Sequence, residues 1–84
     1  MIISWEKSGS ADVAAIDGDV VTVHSTLSSP PGSPLRGTVG PDPRVAMVLK
    51  VRGCRLLESG LYAITGKLVS PTNELRTRLT AAKI

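Results

Sequence analysis

The stretch Ser28-Ser29-Pro30-Pro31-Gly32-Ser33-Pro34-Leu35 lies between two segments that alternate apolar and polar residues. Before it the chain reads Val20-Val21-Thr22-Val23-His24-Ser25-Thr26-Leu27, and after it Leu35-Arg36-Gly37-Thr38-Val39. Proline lacks the backbone N–H that a sheet ladder needs, and glycine permits unusual backbone angles, so this stretch does not continue a strand. It predicts a stiff corner between two strands and makes the chain a candidate all-β barrel.

Outward from this corner, the apolar pattern predicts strands on both sides. The six predicted strands cover residues 2–6, 12–16, 20–27, 35–39, 44–57 and 61–69. Asp17-Gly18-Asp19 predicts a tight hairpin, because Asp-Gly readily takes positive backbone angles. Gly40-Pro41-Asp42-Pro43 predicts a turn, and Gly53 predicts a bulge or a bend where it interrupts the alternation. The expected fold class is all-β, a small six-stranded antiparallel β-barrel.

Residues 71–83 predict one short amphipathic C-terminal α-helix that lies on the barrel. Ser70 suits the cap position, Pro71 suits the first helical position, and Glu74 lies near the positive end of the helix dipole. Glu74 is also spaced to pair with Arg78. The apolar side chains that fall on one face of this helix are Leu75, Leu79 and Ala82.

The chain has 84 residues and shows no internal repeat or linker, so residues 1–84 are predicted to form a single domain. Its core is modest at this size and must be largely aliphatic, since the sequence has no phenylalanine, one tryptophan and one tyrosine. Cys54 is the only cysteine, which excludes an internal disulfide. We see no signal peptide and no apolar stretch near the ~20 residues of a membrane span, so we expect a cytoplasmic protein.

Residues that carry most enzyme chemistry are scarce. His24 is the only histidine, and together with Cys54 and the few carboxylates it has no spacing typical of a zinc site. His24 lies in an alternating Thr/His/Thr row typical of a solvated strand face, and no glycine-rich phosphate loop precedes a helix. We therefore expect no enzymatic activity, no catalytic or metal-ligating residue and no cofactor.

Charge is divided unevenly along the chain. Residues 1–35 carry four carboxylates and one lysine, a net charge of −3, while residues 36–84 carry six arginines, three lysines and three carboxylates, a net charge of +6. The second half is therefore suited to an anionic partner, although a solvated basic surface is the alternative. Tryptophan, tyrosine and arginine are enriched at interface hot spots. The candidate interaction or anion-binding residues are Arg36, Arg44, Lys50, Arg52, Arg55, Trp5 and Tyr62.

The order of these features resembles the PilZ domain family, small β-barrels of bacterial cyclic di-GMP signalling that often end in a helix. One matching segment is Val20-Val21-Thr22-Val23-His24-Ser25 leading into Pro30-Pro31-Gly32-Ser33-Pro34-Leu35. The others are Leu49-Lys50-Val51-Arg52-Gly53-Cys54-Arg55 and Tyr62-Ala63-Ile64-Thr65-Gly66-Lys67-Leu68-Val69 before the predicted helix. The resemblance covers about residues 11–82 and implies a PilZ-like barrel in a bacterial signalling or motility pathway.

Two departures from the family pattern bear on ligand binding. Members that bind cyclic di-GMP carry Arg-x-x-x-Arg before the barrel, whereas this chain has no arginine before Arg36. In place of Asp/Asn-x-Ser-x-x-Gly stands Ala14-Ala15-Ile16-Asp17-Gly18-Asp19, whose two carboxylates would repel an anionic ligand. The resemblance therefore implies a degenerate PilZ-like module that acts by protein–protein interaction without binding cyclic di-GMP through the usual motifs.

Two alternatives stay open. One is a cyclic di-GMP receptor that uses non-standard basic residues, among them Arg36, Arg44, Arg52 and Arg55. The other is a small nucleic-acid-binding barrel, for which aromatic side chains would have to supply the stacking platforms that such proteins use.

Overall fold

The computed structural model describes residues 2–40 and 44–81. Within these ranges the elements are β1 (Ile3–Trp5), β2 (Ser10–Asp17), β3 (Val20–Ser25), β4 (Pro34–Val39), β5 (Val45–Leu56), β6 (Tyr62–Leu68) and α1 (Asn73–Ala81). The strands close into a barrel in the order β1-β2-β3-β6-β5-β4, and all neighbouring strands are antiparallel. The predicted six-stranded barrel with one short C-terminal helix is confirmed.

The barrel consists of two three-stranded meanders. One is β1–β2–β3 and the other is β4–β5–β6, and they meet along the β3–β6 and β1–β4 ladders. The middle strand of each meander has a register shift, between Val13 and Ala15 in β2 and between Val51 and Gly53 in β5. A bulge bends its strand and increases its twist, which helps each meander to curve into half of the barrel. The bulge predicted at Gly53 is confirmed.

The Pro-Pro-Gly stretch belongs to the connection between the two meanders. It leads from β3 to β4, which are not neighbours, so residues 26–33 pass over one end of the barrel. At its start the Thr26 N–H donates to the Ser10 carbonyl at 2.9 Å, and near its end the Gly32 N–H donates to the Val51 carbonyl at 2.6 Å. Gly32 has a φ of 89°, a conformation that favours glycine. The predicted corner is therefore a crossover between the halves of the barrel.

The core lies inside the barrel and follows the alternation of the strands. In β5, Met47, Leu49 and Val51 are at most 2% exposed, while the intervening Lys50 and Arg52 are exposed. A strand turns successive side chains to opposite faces, so one short sequence pattern supplies both the core and the outer surface. The two-residue connection Gly18–Asp19 between β2 and β3 confirms the predicted hairpin.

A buried hydrogen-bonded group joins β1 to the end of β3. The indole Nε1 of Trp5 donates to Ser25 Oγ at 2.8 Å, and this hydroxyl donates to the Leu27 carbonyl at 2.8 Å. The Leu27 N–H in turn donates to Ser25 Oγ at 3.0 Å. β3 ends at Ser25, two residues before the predicted end at residue 27. The reason is that the Thr26 N–H donates to the Ser10 carbonyl and the Leu27 N–H donates to the Ser25 side chain.

The helix α1 closes the end of the barrel opposite the crossover. Its buried side chains Leu75 and Leu79 are at most 3% exposed, and the helix contacts β2, β4 and β5. Arg76 pairs with Asp19 at 3.0 Å, which ties the helix to the β2–β3 hairpin. The predicted pair of Glu74 with Arg78 is confirmed, with an N–O distance of 3.3 Å.

The predicted helix cap is wrong by two residues. Ser70 has a φ of 48° and turns the chain after β6, so it does not enter the helix. Thr72 is the cap instead, since its Oγ1 accepts the Leu75 N–H at 3.1 Å. Pro71 consequently lies before the cap rather than at the first helical position. Ala82, residue 83 and residues 41–43 of the predicted turn lie outside the described residues.

Candidate binding face

Five exposed basic side chains lie on the outer surface of the second meander. They are Arg36 on β4, Lys50, Arg52 and Arg55 on β5, and Lys67 on β6. The inward neighbours Leu35, Leu49 and Val51 are buried, so strand alternation fixes the outward direction of the charges. We call this surface the basic face. Four of the predicted residues lie on it, and Lys67 lies there as well, directly opposite Lys50.

The charges of the basic face are not neutralised within the described chain. None of the five has a carboxylate within 4.0 Å in residues 2–40 and 44–81, where the ion pairs are Arg76–Asp19 and Arg78–Glu74. Lys50 is the direct cross-strand partner of Lys67. Like charges that are directly opposite destabilise a sheet, so the Lys50–Lys67 pair does not stabilise the fold.

Arg44 has a different position from the other predicted arginines. Its Nε donates to Thr38 Oγ1 at 2.9 Å, and its Nη2 donates to Ser4 Oγ at 2.9 Å. The same Nη2 lies 3.3 Å from the Ile2 carbonyl and 3.2 Å from the Thr38 carbonyl. The guanidinium therefore joins β1 to β4, and most of its donors serve the fold. No local sequence pattern indicates this role, because Ser4 is 40 residues away along the chain.

The two predicted aromatic anchors do not belong to the basic face. Trp5 is 4% exposed and lies in the core with its indole N–H bonded to Ser25. Trp5 is one of the predicted interaction candidates, although its period-two spacing from the apolar Ile3 is compatible with an inward position. Tyr62 is half-buried and packs against the core at the start of β6. Trp5 is therefore a core residue that also contributes to the floor of a groove over β1, β4 and β5, and it is not an exposed anchor.

A pocket of about 450 Å³ lies beside the basic face, at the crossover end of the barrel. Its lining includes Leu27, Pro30, Pro34 and Leu35, with Arg36 at the junction to the basic face. A second groove, of about 320 Å³, runs over the outer side of β1, β4 and β5 and also includes Arg36. Sequence analysis missed the pocket, although the Pro-Pro-Gly stretch that decides the fold supplies much of its wall.

Other chemical groups are dispersed over the described part of the chain. Cys54 is free and half-buried, and residues 2–40 and 44–81 contain no group of three or more His, Cys, Asp or Glu side chains placed to hold a metal ion. In the same ranges, no helix has the length and apolar character that crossing a bilayer requires.

Comparisons of the chain with protein-family models, with curated proteins and with solved structures find no match. The resemblance to the PilZ family stays a prediction.

Proposed function

We propose that this protein is a non-enzymatic docking module whose basic face binds an acidic surface of a protein partner. The observation that supports the proposal is the set of five exposed cations on one side of the barrel, with no carboxylate within 4.0 Å in the described residues. Complementary charge accelerates encounter with a partner and selects against wrong ones. An acidic partner would also relieve the repulsion between Lys50 and Lys67.

The positions of the aromatic residues favour a protein partner over a nucleic acid. Proteins that bind single strands combine a basic groove with aromatic rings on which the bases stack. The chain has one tryptophan and one tyrosine and no phenylalanine. Trp5 is in the core and Tyr62 packs against it. The basic face therefore has charge but no free ring, and charge alone suits carboxylates on a protein surface.

The signalling context is part of the same proposal. A closed barrel with a C-terminal helix agrees with the resemblance to PilZ domains, and this agreement supports a place in a bacterial signalling or motility pathway. The binding of cyclic di-GMP by non-standard residues has weaker support. Arg44, one of the arginines considered for it, is engaged in hydrogen bonds to Thr38, Ser4 and Ile2.

The proposal is tested with a labelled oligoglutamate peptide and the full chain, by fluorescence anisotropy. The double variant Arg52→Glu/Arg55→Glu reverses two charges of the basic face, and we expect it to weaken binding by about tenfold or more. Arg76→Glu/Arg78→Glu on α1 is the control of equal net charge, and its melting temperature is measured as well because it removes the ion pairs with Asp19 and Glu74. Binding should also weaken as salt rises from about 0.05 M to about 0.2 M.

Two results would overturn the proposal. One is a wild-type chain that does not bind the peptide. The other is an equal loss in the two double variants, which would mean that net charge alone is responsible. A calorimetric titration with cyclic di-GMP covers the alternative, since binding that disappears in Arg52→Glu/Arg55→Glu would assign the face to the nucleotide.

A further inference from the structure

We infer that the pocket beside Arg36 receives an apolar side chain of the acidic partner. The partner would then present an extended segment in which an apolar residue is flanked by carboxylates. This inference rests on the proposed function and adds the chemistry of the segment that is recognised. Three features support it: the shape of the pocket, the rigidity of its wall and its position relative to the basic face.

The size and lining of the pocket suit one bulky apolar side chain. A volume of about 450 Å³ falls in the range of roughly 300–1,000 Å³ typical of ligand pockets. The apolar lining consists of Leu35, which is 6% exposed, half-buried Leu27, Pro30 and Pro34. Such anchors in pockets supply much of the binding energy of protein interfaces, and an aromatic side chain has ~150–250 Å² to bury.

The wall of the pocket is held in place by the crossover's own hydrogen bonds. Ser29 is 8% exposed, and its hydroxyl lies 2.9 Å from the Ser33 hydroxyl. Ser33 Oγ donates to the Pro30 carbonyl at 2.7 Å, and the Gly32 N–H donates to the Val51 carbonyl on β5. Pro30 and Pro34 stiffen the wall further, because proline fixes the backbone φ angle. A pocket that is already formed costs little ordering on binding.

The position of the pocket indicates an extended acidic segment rather than a separate small molecule. Pro34, on the pocket wall, is the cross-strand partner of Lys50 on the basic face. Arg36 lines both the pocket and the groove over β1, β4 and β5. An extended chain whose apolar residue occupies the pocket would therefore pass beside Arg36 and Lys50. Lys7 adds a cation and Glu6 an anion to the rim, which leaves the local charge positive.

The test uses two labelled peptides, Glu-Glu-Trp-Glu-Glu and Glu-Glu-Ala-Glu-Glu, with the full chain and anisotropy as the readout. We expect the tryptophan peptide to bind about tenfold more tightly. Ser28→Trp places a bulky ring on the exposed part of the pocket wall and should abolish this preference while leaving the affinity for the alanine peptide unchanged. Ser59→Trp, in the exposed turn between β5 and β6, is the control. If Ser28→Trp lowers the melting temperature, Ser28→Leu replaces it.

The outcomes separate this inference from the proposed function. Equal binding of the two peptides would overturn the pocket inference and leave the docking function intact, whereas binding of neither would overturn both. A tryptophan preference that persists in the Ser28 variant would also overturn the inference, since the ring would be bound elsewhere. N-acetyl-tryptophanamide that binds alone as tightly as the peptide would assign the pocket to a small molecule.

Discussion

The two meanders of the barrel share one architecture but differ in where their distinctive residues point. Each has three antiparallel strands and a register shift in the middle strand. In the first meander, Trp5 and Ser25 point inward and are hydrogen-bonded to each other. In the second, Lys50 and Arg52 point outward without a carboxylate partner in the described residues. Barrel formation constrains the inward positions, so the outward positions of the second meander are available for function.

The outward polar residues of the first meander show the same contrast. Asp12 accepts the Ile2 N–H at 3.3 Å, and Thr22 shares a hydrogen bond of 3.2 Å with Thr65 on β6. These side chains connect neighbouring strands of the barrel. In the second meander, Lys50 lies opposite another cation, Lys67, and Arg55 lies opposite the uncharged Ala63. Asp12 and Thr22 of the first meander therefore stabilise the barrel through hydrogen bonds, whereas the outward cations of the second meander form no ion pair in the described residues.

The largest effect is expected at Trp5. Trp5→Ala removes a buried ring and the donor to Ser25, and we expect the free energy of unfolding to fall by ~3–5 kcal/mol. Tyr62→Ala, at a half-buried position of the second meander, is expected to cost less. Urea unfolding followed by far-UV circular dichroism measures both variants. Equal losses would contradict the greater burial of Trp5 as the cause of the difference.

A smaller loss is expected at Gly66, which faces the interior of the second meander. A Cβ there would lie 2.6 Å from the Lys50 carbonyl oxygen and 2.8 Å from Leu49 Cγ. Gly66→Ala should therefore lower the free energy of unfolding by ~1–3 kcal/mol through overpacking. Gly53→Ala in the same meander is the matched control, because its Cβ would meet no atom within 4 Å. A Gly53→Ala loss as large as that of Gly66→Ala would count against close packing as the cause.

The smallest effect on stability has the opposite sign. Lys67→Glu replaces a repulsive cross-strand pair with Lys50 by an attractive one, and should raise the free energy of unfolding by ~0.2–1 kcal/mol. The same substitution should weaken binding of the oligoglutamate peptide, since it places a carboxylate on the basic face. Urea unfolding and anisotropy measure the two quantities, with Lys67→Gln as an intermediate case. If the Lys67→Glu variant is less stable and binds the peptide equally well, the idea that Lys67 contributes to binding at a cost to stability is wrong.

The sequence pattern was sufficient for the elements but not for the contacts between distant elements. Alternation along β5 identified its buried and exposed sides correctly, because a strand's period is local. The role of Arg44 depends on Ser4, which only barrel closure brings near. The cap was misplaced because Ser70 and Thr72 are both acceptable cap residues, and the backbone turn at Ser70 decides between them. The pocket depends on the path of the crossover, which the strand pattern does not specify.

We expect strand pairing within each meander to precede the closure of the barrel during folding. Thr22 on β3 meets Thr65 on β6 across 43 residues, so the first meander can pair locally long before its outer strands find their partners. Ladders between residues so far apart in the chain are slow to form, and all-β domains rich in them fold in milliseconds to seconds. The stiff Pro-Pro-Gly crossover narrows the conformations open to the unfolded chain. We therefore expect the segment that walls the pocket to assist the closure of the barrel as well.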